Sequence, residues 1–111
     1  MRVQETSPFP KRLKLARKRK KLSQAKLGEL AGIDPSVAAV KISRYENGIH
    51  TPPFNLMAKL AYRLDVPVPF FFCKDDWVAN MMLLIGRPTR LTKAQRDEIL
   101  ALTREIVNEK Q

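Results

Sequence analysis

Lys41-Ile42-Ser43-Arg44-Tyr45-Glu46-Asn47-Gly48 is the stretch on which the fold turns. Ala38, Ile42 and Tyr45 recur at helical spacing, so one side of this segment faces a core. Asn47-Gly48 is a stop signal, because glycine enters the left-handed region that ends a helix. Its counterpart upstream is Leu22-Ser23-Gln24-Ala25-Lys26-Leu27-Gly28-Glu29-Leu30-Ala31-Gly32. Ser23 is an N-cap type, Leu27, Leu30 and Ala31 form a second apolar stripe, and Gly32 is a second stop. Two short helices joined by a turn make a helix-turn-helix, whose second helix lies in the major groove of DNA.

Outward from this pair, every element reads as helical. Residues 1–10 hold Pro8 and Pro10 around Phe9 and show no helical period, which predicts a flexible arm with Phe9 as its anchor. Lys11 to Lys21 predicts a basic helix with Leu13 and Ala16 inward. Asp34-Pro35 and Thr51-Pro52 are start signals, an N-cap type followed by a proline at the first helical position. Met57, Leu60, Ala61 and Leu64 define a fourth core face. Val66-Pro67-Val68-Pro69 interrupts the chain, and Phe70-Phe71-Phe72 predicts one short turn on the core. Asp75-Asp76 caps a segment running to about Ile85, Gly86-Arg87-Pro88 is a linker, and Thr92 caps a last helix reaching about Glu109. No alternation of period two occurs, so the class is all-α. The expected divisions are an arm (1–10), a DNA-binding domain (11–73) and a C-terminal helical extension (74–111).

Charge separates these parts. The net charge is +10. Residues 1–63 carry 14 Lys/Arg against 4 Asp/Glu, and residues 64–111 carry 7 against 7, so all the excess lies in the half holding the helix pair. That is the footprint of a polyanion-binding module joined to a neutral one. No apolar run approaches the roughly 20 residues of a membrane span. No apolar leader opens the chain, and the single cysteine, Cys73, suits a reducing compartment, so the expected location is the cytoplasm.

With Ala38, Ile42 and Tyr45 inward, the opposite side of the second helix carries Val37, Val40 and Arg44, flanked by Ser36, Lys41 and Ser43. This is the expected base-reading face. Arg44 can bond guanine O6 and N7, and Val37 and Val40 can meet thymine methyls. The bland alternatives are a phosphate contact or surface ion pair for Arg44, and packing on the turn for the valines. Arg12, Lys21 and His50 are candidate phosphate contacts, with Lys11 and Arg2 more remote ones. The run Arg17-Lys18-Arg19-Lys20-Lys21 either flanks phosphates or is simply solvated.

Taken together, Leu22-Ser23-Gln24, Leu30-Ala31-Gly32 and Ile42-Ser43-Arg44-Tyr45-Glu46-Asn47-Gly48 resemble the Cro/CI, or Xre-type, family of bacterial and phage regulators over about Lys11 to Phe72. The resemblance implies a five-helix lambda-repressor-like domain, here with one or two additional C-terminal helices. It implies backbone contacts by Gln24 and Asn47, although Gln24 also reads as a solvent-facing helix start and Asn47 as an Asn-Gly turn former. It implies a structural ion pair between Glu46 and Arg17. One departure is length: nine residues separate Gly32 from Ile42, an insertion of about one helical turn, roughly four residues. Added at the start of the recognition helix, such a turn preserves its groove-facing side, and that is the expected placement. The lengthened form resembles a subset that includes controller proteins of restriction–modification systems.

Members of that family commonly dimerise. Trp77, Met81, Met82, Leu84, Ile85, Ile99, Leu102 and Ile106 give the extension more apolar surface than it needs alone, so they are expected to form a homodimer interface unless they pack within one chain. The implied function is a dimeric transcriptional regulator binding double-stranded DNA at a (pseudo)palindromic operator. The rivals are an antitoxin whose tail neutralises a toxin, and a protein-interaction module that has lost DNA binding. No catalytic constellation, metal-ligand spacing or cofactor motif is evident. His50 stands alone, and Cys73 reads as a small buried residue. Enzyme, cofactor, small-molecule and membrane functions are therefore not expected.

Overall fold

A computed structural model describes residues 6–108. Six α-helices are present: α1 (Phe9–Arg19), α2 (Gln24–Leu30), α3 (Ala38–Glu46), α4 (Phe54–Leu64), α5 (Asp76–Ile85) and α6 (Lys93–Ile106). Short 3₁₀ turns occupy Val68–Phe72 and Pro88–Arg90, and no strand occurs among the described residues. None of these helices is long and apolar enough to cross a membrane. The all-helical class read from the sequence is the class observed.

One core joins α1 to α4 and the first 3₁₀ turn. Leu13, Leu27, Ile42, Leu60, Phe70 and Phe71 are wholly buried in it, each such side chain contributing about 1.5–3 kcal/mol. Only Ala79 of α5 is buried alongside them.

Besides α4, which begins at Phe54 after an N-cap at Pro53 and not at the expected Thr51-Pro52, two helix starts differ from the sequence reading. α1 begins at Phe9, so Phe9 and Pro10 belong to the helix and not to an arm. A proline in the first turn forfeits no hydrogen bond, because those N–H groups have no helical acceptor. Phe9 is buried edge-on against Phe71, with ring centroids 5.0 Å apart, while its N–H donates to Ser7 Oγ. Residues 1–5, including Arg2, lie outside the described residues.

The second difference concerns the insertion. Asp34 Oδ1 accepts from the Ser36 N–H (2.8 Å) and hydroxyl (2.7 Å), and the Val37 N–H closes the turn on the Asp34 carbonyl. Val37 then departs from helical geometry, with φ −127°. α3 starts only at Ala38. The extra residues therefore lengthen the turn and not the recognition helix. The cause is tertiary. Ala38 sits so close to α2 that a Cβ on Gly28 would lie 2.8 Å from its Cβ and 3.1 Å from its Cα. That contact seats the first residue of α3 against α2.

The extension attaches at two polar points. Arg12, 2% exposed, donates to the carbonyls of Cys73 and Lys74 and to Asp76 Oδ1, holding α1 to the start of α5. Asp65 ends α4 in the left-handed conformation, φ 60°, and its carboxylate gathers Arg87 at 3.2 Å, Arg90, and Lys20 at 3.8 Å. Beyond these points α6 buries no residue. The radius of gyration, 16.3 Å, exceeds the about 13 Å of a compact chain of this size, so α6 stands off the body. Thr92 and Gln95 close a reciprocal capping box at its start, and it ends at Ile106, ahead of the expected Glu109, which lies outside the described residues.

Burial pushes the Asp65 carboxyl up, but the bond from Arg87 and the charges of Arg90 and Lys20 outweigh it, leaving the pKa below its ordinary value. Folding thus favours the ionised form, and this stability is present at neutral pH. It is lost as pH falls from about 4, the unfolded value, through the lowered one. Thermal melts of the native chain and Asp65→Asn are expected to separate above about pH 4 and to converge below it.

Candidate nucleic-acid interface

α2 is placed by its cap. Ser23 Oγ accepts from the Lys26 N–H at 3.0 Å, which leaves the first turn of the helix pointing outward with unshared N–H groups. α3 ends in a glycine-closed turn. The Gly48 N–H donates to the Tyr45 carbonyl and the Ile49 N–H to the Arg44 carbonyl, with Gly48 at φ +72°. Between these ends, Ala38, Ile42, Tyr45 and Glu46 are buried, and Ala39, Val40, Lys41 and Arg44 are exposed.

Behind that outer face lies a buried polar cluster. Arg17 Nε donates to Glu46 Oε2 at 2.6 Å, and Arg17 Nη2 donates to Oε1 at 3.0 Å. Arg17 Nη1 donates to the Leu22 carbonyl at 2.8 Å, and Gln24 Nε2 donates to Glu46 Oε1 at 3.1 Å. The Glu46 side chain is 2% exposed. Its hydrogen bond holds the Arg17 guanidinium above its ordinary pKa against the opposing effect of burial. The Glu46 carboxylate therefore ties α3 to α1 and to the first residue of α2, while the Arg17 guanidinium adds the loop after α1. Replacing one member strands a buried charge, which costs about 3–5 kcal/mol, although the intact pair is not thereby a large net stabiliser.

A shallow concavity lies over this cluster, lined by Gln24, Ala39, Val40, Ser43 and Arg44. Four of these residues are candidates from the sequence. Ala39 is not, because a small apolar residue gives no chemical signal, yet it keeps the outer face low enough for close approach. Ser36 and Val37 sit in the turn ahead of α3, and the Ser36 hydroxyl is already used by Asp34. Lys41 is exposed on the flank. Gln24 turns its amide inward to Glu46, so its own outward offering is the adjoining helix start. Asn47 Nδ2 donates back to the Ser43 carbonyl at 2.8 Å, acting as a turn former with its backbone exposed.

The three candidate phosphate residues separate. Lys21 is exposed, in a left-handed conformation (φ 57°) after α1. His50 is exposed and shares a cleft with Ser7, Lys11, Asn47 and Thr51. Arg12 cannot serve: it is buried, with Nε and Nη2 bonded to residues 73, 74 and 76. Its acceptors are 61 or more positions away in sequence, so nothing local marks it off from the solvated lysines around it. The other exception in the basic helix is Arg17, since Lys18 and Arg19 face solvent and Lys20 is half given to Asp65.

On the neutral half, Trp77 is 70% and Leu84 72% exposed on the outer side of α5, and Leu102 and Ile106 are exposed on α6. Met81, Met82, Ile85 and Ile99 are partly covered. Met82 packs on the core, whereas Ile85 and Ile99 line an apolar groove between α5 and α6 together with Leu91 and Leu100.

A helix-turn-helix family model matches residues 13–71, the segment from Leu13 in α1 to the phenylalanines of the first 3₁₀ turn. Among solved structures, the chain is similar to the crystal structure of transcriptional regulator BswR. The two are 31% identical, with a TM-score of 0.77, over 87% of this chain and 93% of that one. That likeness extends beyond the helix pair into the C-terminal helices. No curated protein matches the chain significantly.

Two substitutions test the frame behind the interface. Glu46→Leu should lose about 3–5 kcal/mol of stability, and adding Arg17→Met should recover most of it, because the loss comes from the stranded guanidinium. Urea titration reads both. Gly28→Ala would ordinarily stabilise a helix by about 1 kcal/mol. Here it should destabilise by about 1–3 kcal/mol, since the new methyl collides with Ala38.

Proposed function

The chain belongs to the helix-turn-helix family of Cro/CI (Xre) type, and we propose on that premise that it is a sequence-specific transcriptional regulator acting as a homodimer. The observation that carries this reading is the outer face of α3. Val40, Ser43 and Arg44 line one concavity with the start of α2, and the buried Arg17–Glu46–Gln24 cluster holds that arrangement rigid from behind. A face held this way enters the groove without reorganising, so little ordering entropy opposes binding. Arg44 reads guanine, Val40 meets a thymine methyl, and Ser43 and Lys41 flank them. Lys21, His50, the backbone after Asn47 and the start of α2 meet phosphates, which orient the protein and carry no base information.

The dimer is supported by the apolar surface that the body leaves uncovered. A helix with no buried residue does not stay folded on propensity alone at this length, and α6 is such a helix. Pairing the outer faces of α5 and α6 with those of a second copy covers Trp77, Leu84, Leu102 and Ile106. Two-fold pairing sets two α3 helices about 34 Å apart, one turn of DNA, on a (pseudo)palindromic operator. Regulation follows from occupancy, blocking or recruiting polymerase according to where the operator lies. The cytoplasm is the compartment in which this activity belongs. The narrower reading of a restriction–modification controller protein rests on the insertion before Ile42, which lengthens the turn and not the helix, so the neighbouring genes are its direct check.

Selection from a random duplex pool tests the whole reading: enrichment of a symmetric site supports it, and salt-sensitive binding without enrichment overturns base reading. Arg44→Ala should cost about 1–3 kcal/mol on the selected site and relax one base position. Lys21→Ala should weaken all sequences alike and lower the salt slope by about one. Equal loss from Arg44→Ala on selected and random DNA would remove α3's outer face as the reader.

A further inference from the structure

We infer that Asp65 is a positioning residue: it sets the direction in which α6 leaves the DNA-binding domain, and through that the spacing between half-sites that the protein accepts. This rests on the homodimer proposed above. Asp65 itself touches no DNA.

The inference follows from what holds α6 and what does not. No residue of α6 is buried, and what it shares with the body is an open apolar groove lined by Ile99 and Ile85, a slight hold on its direction. The chain leading into it is held at one place. The Asp65 carboxylate, 16% exposed, receives Arg87 and Arg90 from the α5–α6 connection and Lys20 from the end of α1. Arg87 also lies over the Tyr62 ring, 4.2 Å from its centroid. Gly86, at φ +70°, passes so near that a Cβ there would meet Arg90 Nη1 at 2.9 Å and the Asp65 carbonyl at 3.3 Å. Three cations converge on one anion, so neutralising the anion leaves mutual repulsion where there was closure.

Lys20 lies one turn beyond Arg17, whose guanidinium holds Glu46 of α3. The exit of α6 and the seat of the recognition helix are thus both fixed to the same end of α1. Leverage does the rest. The 14 residues of α6 span about 21 Å, so a ~10° change in exit angle moves its far end by ~4 Å. That is close to the rise of one base pair, about 3.4 Å.

The experiment uses the full chain and two variants. Asp65→Asn removes the charge but keeps a residue type that tolerates the left-handed conformation. Arg87→Gln with Arg90→Gln loosens the connection and leaves the end of α4 untouched. Each is titrated, well below its melting temperature, against a single selected half-site and against paired half-sites with spacers varied base pair by base pair. The native chain is expected to prefer one spacing over its neighbours by about tenfold, or 1.4 kcal/mol. Both variants should bind the single half-site as the native chain does, while their spacing preference falls to about threefold or less.

Native spacing preference in both variants overturns the inference and leaves the homodimer standing. Loss of half-site binding by Asp65→Asn, with native preference in the arginine variant, also overturns it, because Asp65 would then serve only the fold. A native chain that sediments as a monomer and shows no spacing preference removes the homodimer, and the inference with it.

Discussion

The buried guanidinium of Arg17 is the constraint to which the remainder of the molecule answers. A charge taken from water must find partners, and this one finds both oxygens of Glu46 and the Leu22 carbonyl. Because those partners lie on α3 and on the loop before α2, satisfying one side chain brings three segments into register. Gln24 then completes the coordination of Glu46 from α2. The recognition helix is held less by its own propensity than by the electrostatic penalty of letting it shift.

α1 extends the same logic along its length. Read as a string of letters it is a basic surface helix. In space, Arg12 holds the start of α5, Arg17 holds α3, and Lys20 reaches the Asp65 cluster. Phe9, Leu13 and Ala16 press its apolar side into the core. The helix is therefore a frame between the surface suited to DNA and the C-terminal extension. Of its cations, those facing solvent add long-range attraction for a polyanion, and those turned inward set geometry.

The two halves differ in how completely they satisfy themselves. The helix-turn-helix domain closes on its own core, with every buried side-chain polar atom of the described residues hydrogen-bonded. α5 and α6 do not close: their starts are well capped, yet Trp77, Leu84, Leu102 and Ile106 face outward. Local signals shape these helices, yet only Ala79 of α5 and no residue of α6 is buried. The proposed DNA face thus rests on rigidity and charge, and the proposed dimer face on uncovered area.

Much of this was legible from residues alone, because it depends on neighbours in sequence. Caps at Ser23, Asp75 and Thr92, stops at Gly32 and Gly48, and the stripes of Leu27, Ile42 and Leu60 act over one or two helical turns, the range of the periodicity that reveals them. The charge division and the outer face of α3 follow from the same reading. What stayed hidden depends on contacts between distant positions. Pro8 and Pro10 look like an arm until Phe9 is seen against Phe71. Asp34-Pro35 looks like the start of α3 until the Gly28–Ala38 approach moves that start to Ala38. Arg12 looks solvated until the chain brings carbonyls from residues 73 and 74 to it. Sequence determined which segments are helices and which sides of them are apolar, because those are local properties. Tertiary structure alone decided that Arg12 is spent inside and where the recognition helix begins, because burial and close approach exist only once distant segments meet.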